Sequence, residues 1–472
     1  MFEAHLAFTL GEAAEMMEGK IQSTSASEPS SRALADIACR GVSTDTRSAQ
    51  PGNLFFALRG GSFDGHNYLP QAASAGCVAA VVDHLVESDI PQILVENVGV
   101  AYGHFAREMR PDVPIVMVVG SNGKTTTTQL AAFALRVALG GDYVQCTAGN
   151  FNNEVGVPQT LLSITPEHRC AVVEAGINHP GEMARLTDWI NPTYVVITNA
   201  HREHQEFLAG TRESARENGL AILRVPEHGA VVAPAHDPES PVWRDLAMLA
   251  RAPLVTYSTN PAVKALIQGE LKEDGAFLVR TPERDYTLHP NNTAPHHLHN
   301  LLAVAALIWS ARMDIAYVVP ALETFNLLEG RGATYILREK ALTVIDEAYN
   351  ANPDSVKATL LALSRKTGEK RIYVLGDMGE QGEEAPRWHT EMGLYAKELG
   401  IDEFVSVGPL SRMAAEAFGE GAVSFETADE AYEYLCNATG VITVKASHFM
   451  RLDRLVDKLT ARREKNTESQ KA

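Results

Sequence analysis

Residues 118–128 read "VVGSNGKTTTT": two glycines among small polar residues, then a lysine and four threonines. An ammonium, a hydroxyl and the free N–H groups at a helix start are what a phosphate chain needs. Lys124 would lie against the outer phosphates, and the Thr125 hydroxyl would reach a magnesium ion. The spacing is unusual, because the common phosphate loop has a glycine five residues before the one that precedes lysine. That position is Val118 here, and counting from Gly120 leaves the loop two residues short. The stretch Gly120, Ser121, Asn122, Gly123, Lys124, Thr125, Thr126 is therefore either an abbreviated anion cradle or a plain turn between strand and helix. Four threonines in succession are poor helix formers and call for a polar job for at least one of them.

Other candidates stand where apolar runs end. Glu174 closes "CAVVEAG", and His204 follows "YVVITNA", five residues past Asn199. Asp346 closes "LTVID", placed to accept hydrogen bonds from ribose hydroxyls. Arg331 lies between glycines in "GRG", where a sharp backbone turn can bring a guanidinium to phosphate. Lys445 follows "ITV". Taken singly, each also fits a plainer part: a solvated strand-end carboxylate, a surface histidine, a helix-capping aspartate, a loop arginine, an exposed lysine.

These groups need a scaffold that carries them to one edge. The runs "IVMVV", "CAVVEAG" and "YVVITNA" are short and apolar throughout, with helical stretches between them, which predicts a parallel sheet covered on both faces. "NLFFAL" and "CVAAVV" predict a smaller α/β unit before it. "LTVIDEAYN", "RIYVLGDMGE", "FVSVG" and "ITVKAS" predict a third, with polar tips where open α/β sheets place ligands. The fold class is thus α/β in three domains: residues 1–108, 109–325 with "MRPDVP" as linker, and 326–472. The Ser-rich "QSTSASEPSS" reads as a solvated loop and the charged "ARREKNTESQKA" as a frayed tail. With 472 residues, one core is not enough. A net charge of −18 argues against a nucleic-acid partner. No apolar run reaches the length of a membrane span, the N-terminal stretch, without a basic start and an apolar run, is not expected to act as a signal peptide, and five scattered cysteines suit a reducing cytoplasm rather than a disulfide frame or metal cluster.

In order along the chain come "STDTR" with "FFALRGGSFDGH", "GSNGKTT", "GNFNNEVGVPQTLL", "EAGINHPGEM", "HN", "GRG", "DEAYNANPDS", "VLGDMGEQGEE" and "VKASHFMRL". Through these motifs the whole chain resembles the Mur ligases, ATP-dependent enzymes that join a peptide carboxylate to an amine through an acyl phosphate. "YNANP" and "NHPGE" are particular to the branch that adds D-alanyl-D-alanine to a UDP-N-acetylmuramoyl-tripeptide. The resemblance implies a UDP-substrate domain, a central ATPase and a Rossmann-like lid, with ATP and Mg2+ between the last two, acting as a monomer in the cytoplasm. It makes Thr125, Glu174 and His204 metal ligands, with Lys124 on the phosphates. His299, Asn300, Arg331 and Asp346 join the nucleotide site. Thr46, Arg47 and His66 resemble the uridine-diphosphate grip. Asn152, Asn153, Tyr349, Asn350, Lys445 and Ser447 fall in the substrate region.

The chain departs from its relatives at three places. Where they carry a lysine that is carbamylated into an anion, fourteen residues after the metal histidine, this sequence has Asn218. An asparagine offers only a neutral carbonyl, so a free anion or a neighbouring carboxylate such as Glu217 would have to fill the role. His201 reads as a surface histidine near the metal one. Ala303 replaces the second asparagine of the adenine motif, and His448 replaces the arginine of "KGSR", a weaker and pH-dependent cation. Three alternatives follow: a Mur-type amide ligase of another substrate, a catalytically impaired binding subunit, and a generic phosphate-loop switch or transport ATPase.

Overall fold

The computed structural model describes residues 6–23, 31–61, 63–203, 207, 208 and 210–460. Most of the Ser-rich stretch, the C-terminal tail and His204 lie outside them. Three α/β units follow one another, each built on its own sheet.

The run "IVMVV" forms Ile115–Val119, a fully buried strand. Its side chains alternate between two cores. Met117 and Val119 point into one, Val116 and Val118 into the other. The strand lies inside a nine-stranded sheet between Cys170–Glu174 and Tyr194–Ile197, both parallel to it. Later strands are laid down on either side of Ile115–Val119, so a crevice opens at its carboxyl end. Helices Lys124–Leu139 and Pro295–Ser310 cover one face of this sheet. The far edge is an antiparallel pair, Phe277–Arg280 with Asp285–Leu288, for which the sequence carries no clear signal.

The N-terminal unit holds a five-stranded sheet in the order Lys20–Gln22, Gln92–Leu94, Ala79–Val82, Leu54–Phe56, Val42–Ser43. Its helix Val98–Met109 ends on the first residue of the expected linker. That linker does not separate two cores. Phe56, Tyr102 and Phe105 from the first unit share one hydrophobic cluster with Leu186 and Trp189 from the second. Gly103 makes the seam possible, since a Cβ there would come within 2.1 Å of the Trp189 ring.

The third unit is a six-stranded sheet in the order Ala333–Leu337, Leu342–Glu347, Gly440–Lys445, Arg371–Gly376, Glu403–Val407, Ala422–Phe425. The first pair is antiparallel and the rest parallel. Each face has its own apolar core. Glu347 and Lys445 are register partners at the carboxyl ends of adjacent strands, so this unit also presents its polar tips at a sheet edge. Among the described residues no helix is long and apolar enough to cross a membrane.

Candidate active site

A cavity of about 810 Å3 lies between the second and third units, with the loop 120–124 on one wall and Arg331, Tyr349 and Lys445 on the other. The loop is held from below. Ser121 N–H donates to the Asn199 carbonyl, and Asn122 N–H to Asn199 Oδ1 at 2.9 Å. Gly120 and Gly123 have φ of 120° and 81°, a region that L side chains avoid. A Cβ on Gly123 would sit 2.7 Å from Asn300 Oδ1. Among the described residues no side chain caps helix Lys124–Leu139, and the first N–H groups of a helix have no partner within it. The abbreviated loop therefore ends in an open helix N-terminus facing the cavity, a site for an anion.

Around this loop Glu174 and Glu203 are buried and Lys124 is half-buried. Lys124 Nζ donates to the Gly120 and Ser121 carbonyls at 2.6 and 3.0 Å and lies 3.4 Å from Glu203 Oε2. Glu174 is 1% exposed. Its Oε1 accepts from Asn152 Nδ2 at 2.7 Å. Glu174 Oε2 and Thr125 Oγ1 are buried with no hydrogen-bond partner among the described residues. Two buried oxygens left open beside a phosphate loop are what a hard cation takes.

The opposite wall is built from the third unit. Arg331 stacks its guanidinium 3.9 Å over the Tyr349 ring, with Gly330 and Gly332 both at positive φ on either side. Asp346, expected to meet ribose hydroxyls, instead accepts from Gly330 N–H at 2.7 Å and Ala348 N–H at 3.2 Å, bracing the Arg331 turn. It does not line the cavity. Lys445 donates to the Asn350 carbonyl at 2.9 Å. Burial lowers its pKa, with Glu347 working against that shift. Ser447 Oγ accepts from Gly379 N–H and reaches the Ala351 carbonyl, tying "KAS" to "YNANP". His448 lies 5.6 Å from Tyr349, ring to ring.

Among the described residues, amide pairs and ion pairs join the two units, His296 with Glu347 at 3.6 Å among them. Asn352 Nδ2 donates to Asn122 Oδ1 at 2.8 Å, and Asn122 Nδ2 returns a bond to Asn352 Oδ1 at 3.2 Å. Arg202 grips Asp354 through Nε at 3.0 Å and Nη2 at 2.6 Å, and stacks 4.4 Å over Trp388. Burial would raise the Asp354 carboxyl, but the Arg202 bonds outweigh it and hold the group below the ordinary range.

Profiles of the Mur ligase family match three stretches of the chain: its catalytic domain over residues 38–135, its middle domain over 118–308 and its glutamate ligase domain over 333–448. The chain is similar to the UDP-N-acetylmuramoyl-tripeptide–D-alanyl-D-alanine ligase of Escherichia coli (strain K12), with 31% identity over 88% of this chain and 89% of that one. It is 35% identical to the ligase of the same name from Synechocystis sp., over 78% and 79%. The chain belongs to the Mur ligase family. A crystal structure of MurF from Acinetobacter baumannii superposes on this Mur ligase with a TM-score of 0.85 at 25% identity, covering 97% of this chain and 99% of that one. The MurF ligase of Thermotoga maritima, solved in complex with ADP, shares the fold with a TM-score of 0.77 at 21% identity over 90% and 98%.

In this Mur ligase not every expected residue gathers at the cavity. Asn153 lines it but spends Oδ1 on the Val155 and Gly156 N–H groups. Thr46 and Arg47 lie outside the cavity, and Arg47 is exposed and paired with Asp45. His66 is 4% exposed, with Nδ1 2.6 Å from Asp64 Oδ1 and Nε2 accepting from Asp83 N–H. Both its nitrogens are thus already engaged. Asp83 and His84 lie close to it, but the Arg59 guanidinium, 3.0 Å from Asp83, already meets their charge. Glu217, the carboxylate suggested to compensate for Asn218, accepts from Gly181 and Met183 N–H instead, capping helix Glu182–Ile190. The Asn218 carbonyl is not offered to a cation either, because it accepts from Gly120 N–H at 3.0 Å.

His201, Asn352 and His297 carried no signal of their own, whereas His299 was expected at the nucleotide site. His201, read as a surface histidine, is half-buried and sits 3.1 Å from Asn122 Nδ2. Asn352, hidden inside "YNANP", caps helix Pro353–Ser364 while reaching Asn122. His299 Nε2–H donates to the Thr198 carbonyl at 2.8 Å. Burial first, then His236 nearby, brings its pKa down to about 3. His297 is buried at the cavity with neither ring nitrogen bonded among the described residues, and burial lowers it to about 4.

Proposed function

We propose that this Mur ligase uses ATP to join D-alanyl-D-alanine to the peptide carboxylate of a UDP-N-acetylmuramoyl-tripeptide. One observation carries the reading: the open helix N-terminus at Lys124 and the Arg331–Tyr349–Lys445 wall face each other across a single cavity, held in register by Asn122 and Asn352. A carboxylate is a poor acyl donor because its leaving group would be oxide. Its oxygen attacks the γ-phosphorus, ADP leaves, and an acyl phosphate forms. The D-alanyl-D-alanine amine then attacks the acyl carbon and expels phosphate. The chain's part is to align two anions that repel each other and to keep water out until the amine arrives.

Lys124 and the helix N-terminus would carry the outer phosphates, and Arg331, stacked on Tyr349, would meet the charge from the opposite side. Thr125 and Glu174 have the open buried oxygens to hold a magnesium ion. His204 joins them on sequence grounds. Such an ion, when bound, would neutralise charge on the transferred phosphoryl group. Asn152 orients Glu174, and Lys445 with Ser447 fixes the Tyr349–Asn350 segment toward the substrate. His299, neutral and fixed against Thr198, and Asn300 beside Gly123 would border the nucleotide. Thr46, Arg47 and His66 would serve the uridine diphosphate through a surface outside this cavity. We further propose that the enzyme acts as a monomer.

The test is incubation of the pure protein with ATP, Mg2+, UDP-N-acetylmuramoyl-tripeptide and D-alanyl-D-alanine, following phosphate release and product mass. One phosphate per peptide bond formed is the expected result. Phosphate release without either peptide would point to a switch or transport ATPase, and absence of turnover at every magnesium and chloride level to a binding subunit.

A further inference from the structure

We propose that His297 binds the nucleoside part of the nucleotide, through a hydrogen bond to an uncharged group of its ribose or base. The inference rests on the ATP-dependent reading above. His297 is 1% exposed and lines the cavity. Neither Nδ1 nor Nε2 has a hydrogen-bond partner among the described residues. The other histidines nearby are held by the protein: His299 by the Thr198 carbonyl, His201 by Asn122 and His236 by the Ser258 hydroxyl. A buried polar side chain with no partner is rare in a native fold, and here the cavity is the place from which a partner can come.

The position of the ring limits what can reach it. Side chains three apart on a helix are neighbours, so His297 stands one turn before Asn300 on helix Pro295–Ser310. Asn300 is packed against the phosphate loop, where its Oδ1 would lie 2.7 Å from a Cβ on Gly123. On the other flank, His296 Nε2 lies 3.6 Å from Glu347 Oε1 of the third unit. The stretch His296–Asn300 therefore runs from the third unit to the phosphate loop. One helical turn is about 5.4 Å, a step of the size that separates a phosphate from the sugar it carries.

The charge of the ring decides the class of group. Burial first, then His296, brings its pKa down to about 4, so near neutral pH it is an uncharged imidazole with one donor and one acceptor nitrogen. It has no charge to offer a phosphate, a task for which Lys124, Arg331 and the helix N-terminus are better suited. A sugar hydroxyl, an exocyclic amine or a ring nitrogen matches it. Asp346, expected from the sequence to meet the ribose, is spent on the Gly330 and Ala348 N–H groups, which leaves the nucleoside to another side chain.

The probe is ADP, titrated by calorimetry into the full-length protein with Mg2+ present. His297→Leu is expected to weaken ADP at least tenfold, while inorganic tripolyphosphate, which has no nucleoside, binds wild type and variant within twofold of each other. A smaller loss for ADP, or an equal loss for tripolyphosphate, overturns the proposal. ADP analogues lacking in turn each ribose hydroxyl and each amine or ring nitrogen of the base then separate sugar from base. The analogue without the partner of His297 should bind the wild type more weakly and lose nothing further in the variant; losses that simply add for every analogue overturn the assignment. A rise in KM for a peptide substrate with that for ATP unchanged overturns it as well. A crystal of the wild type with ADP does not depend on the variant folding, and should show a nucleoside atom within hydrogen-bond distance of Nδ1 or Nε2. Nucleoside atoms bonded only elsewhere sink the proposal and leave the ligase reading standing, whereas a wild type that binds no ADP at all sinks both.

Discussion

Asn122 and Asn352 exchange side-chain amide bonds, 2.8 and 3.2 Å long, across the boundary between the second and third units. One of the pair belongs to the phosphate loop, and the other caps the helix that follows "YNANP". The two walls of the cavity are therefore set against each other by neutral, directional bonds, and a change of one atom can separate their roles.

Asn352→Asp keeps the cap acceptor and loses the donor to Asn122. Helix capping is retained, so the melting temperature should stay within about 2 °C on the scale by which 1 kcal/mol moves it a few degrees. kcat/KM for ATP should fall about tenfold, equivalent to ~1.4 kcal/mol. Initial rates at varied ATP check this, and an unchanged value would show that the contact is idle in turnover.

Glu174→Gln should have opposite effects on stability and on rate. The buried Oε2 has no partner among the described residues, so the charge costs the ligand-free fold more than it returns. Urea unfolding without ligand should show equal or greater stability. Phosphate release in the full reaction should fall by about two orders of magnitude, the size typical for loss of one charged group stabilising a transition state.

His297 and His299 make stability depend on pH. Burial lowers them to about 4 and about 3, whereas an unfolded histidine titrates near 6.5. The unfolded chain therefore binds protons that the folded chain refuses as pH falls below about 6.5, and stability declines until the folded values are reached. Each group contributes a slope of at most about 1.4 kcal/mol per pH unit. His297→Leu removes one of them without sacrificing a hydrogen bond. Urea midpoints measured from pH 7 to 5 should drop less steeply than for the wild type, with little change at pH 7.

Gly103→Ala tests the seam between the first two units. The added methyl would meet the Trp189 ring at 2.1 Å. Neither helix can yield without disturbing the shared core, and overpacking of this kind costs roughly 1–3 kcal/mol. Chemical denaturation should show that loss, with kcat altered far less than stability.

The architecture was legible because buried parallel strands read as unbroken apolar runs. "IVMVV" became Ile115–Val119, and "LTVIDEAYN" gave Leu342–Glu347. The loop glycines and Lys124 were legible for a related reason, since a short turn into a helix allows few residue types. Glu203 and Arg202 were not, because a charged "HRE" looks like a solvated loop, and only tertiary packing buries Glu203 and half-buries Arg202. Glu217 and Asn218 are neighbours on one helix, and the turn of about 100° between successive residues sends one to a helix cap and the other under the loop. His66 and Asp346 had side chains suited to a ligand, but the backbone claimed them first. No feature of a linear sequence announces which acceptor a buried group will find.

The continuous apolar cluster through Phe56, Phe105 and Trp189 has a mechanical corollary. Sliding the first two units apart would expose hydrocarbon to water, whereas the third unit meets its neighbour at the cavity through amides and ion pairs that solvent can replace one at a time. If the cavity opens by a domain swing, the C-terminal lobe is the part free to move, with the other two held together as a single anvil beneath it.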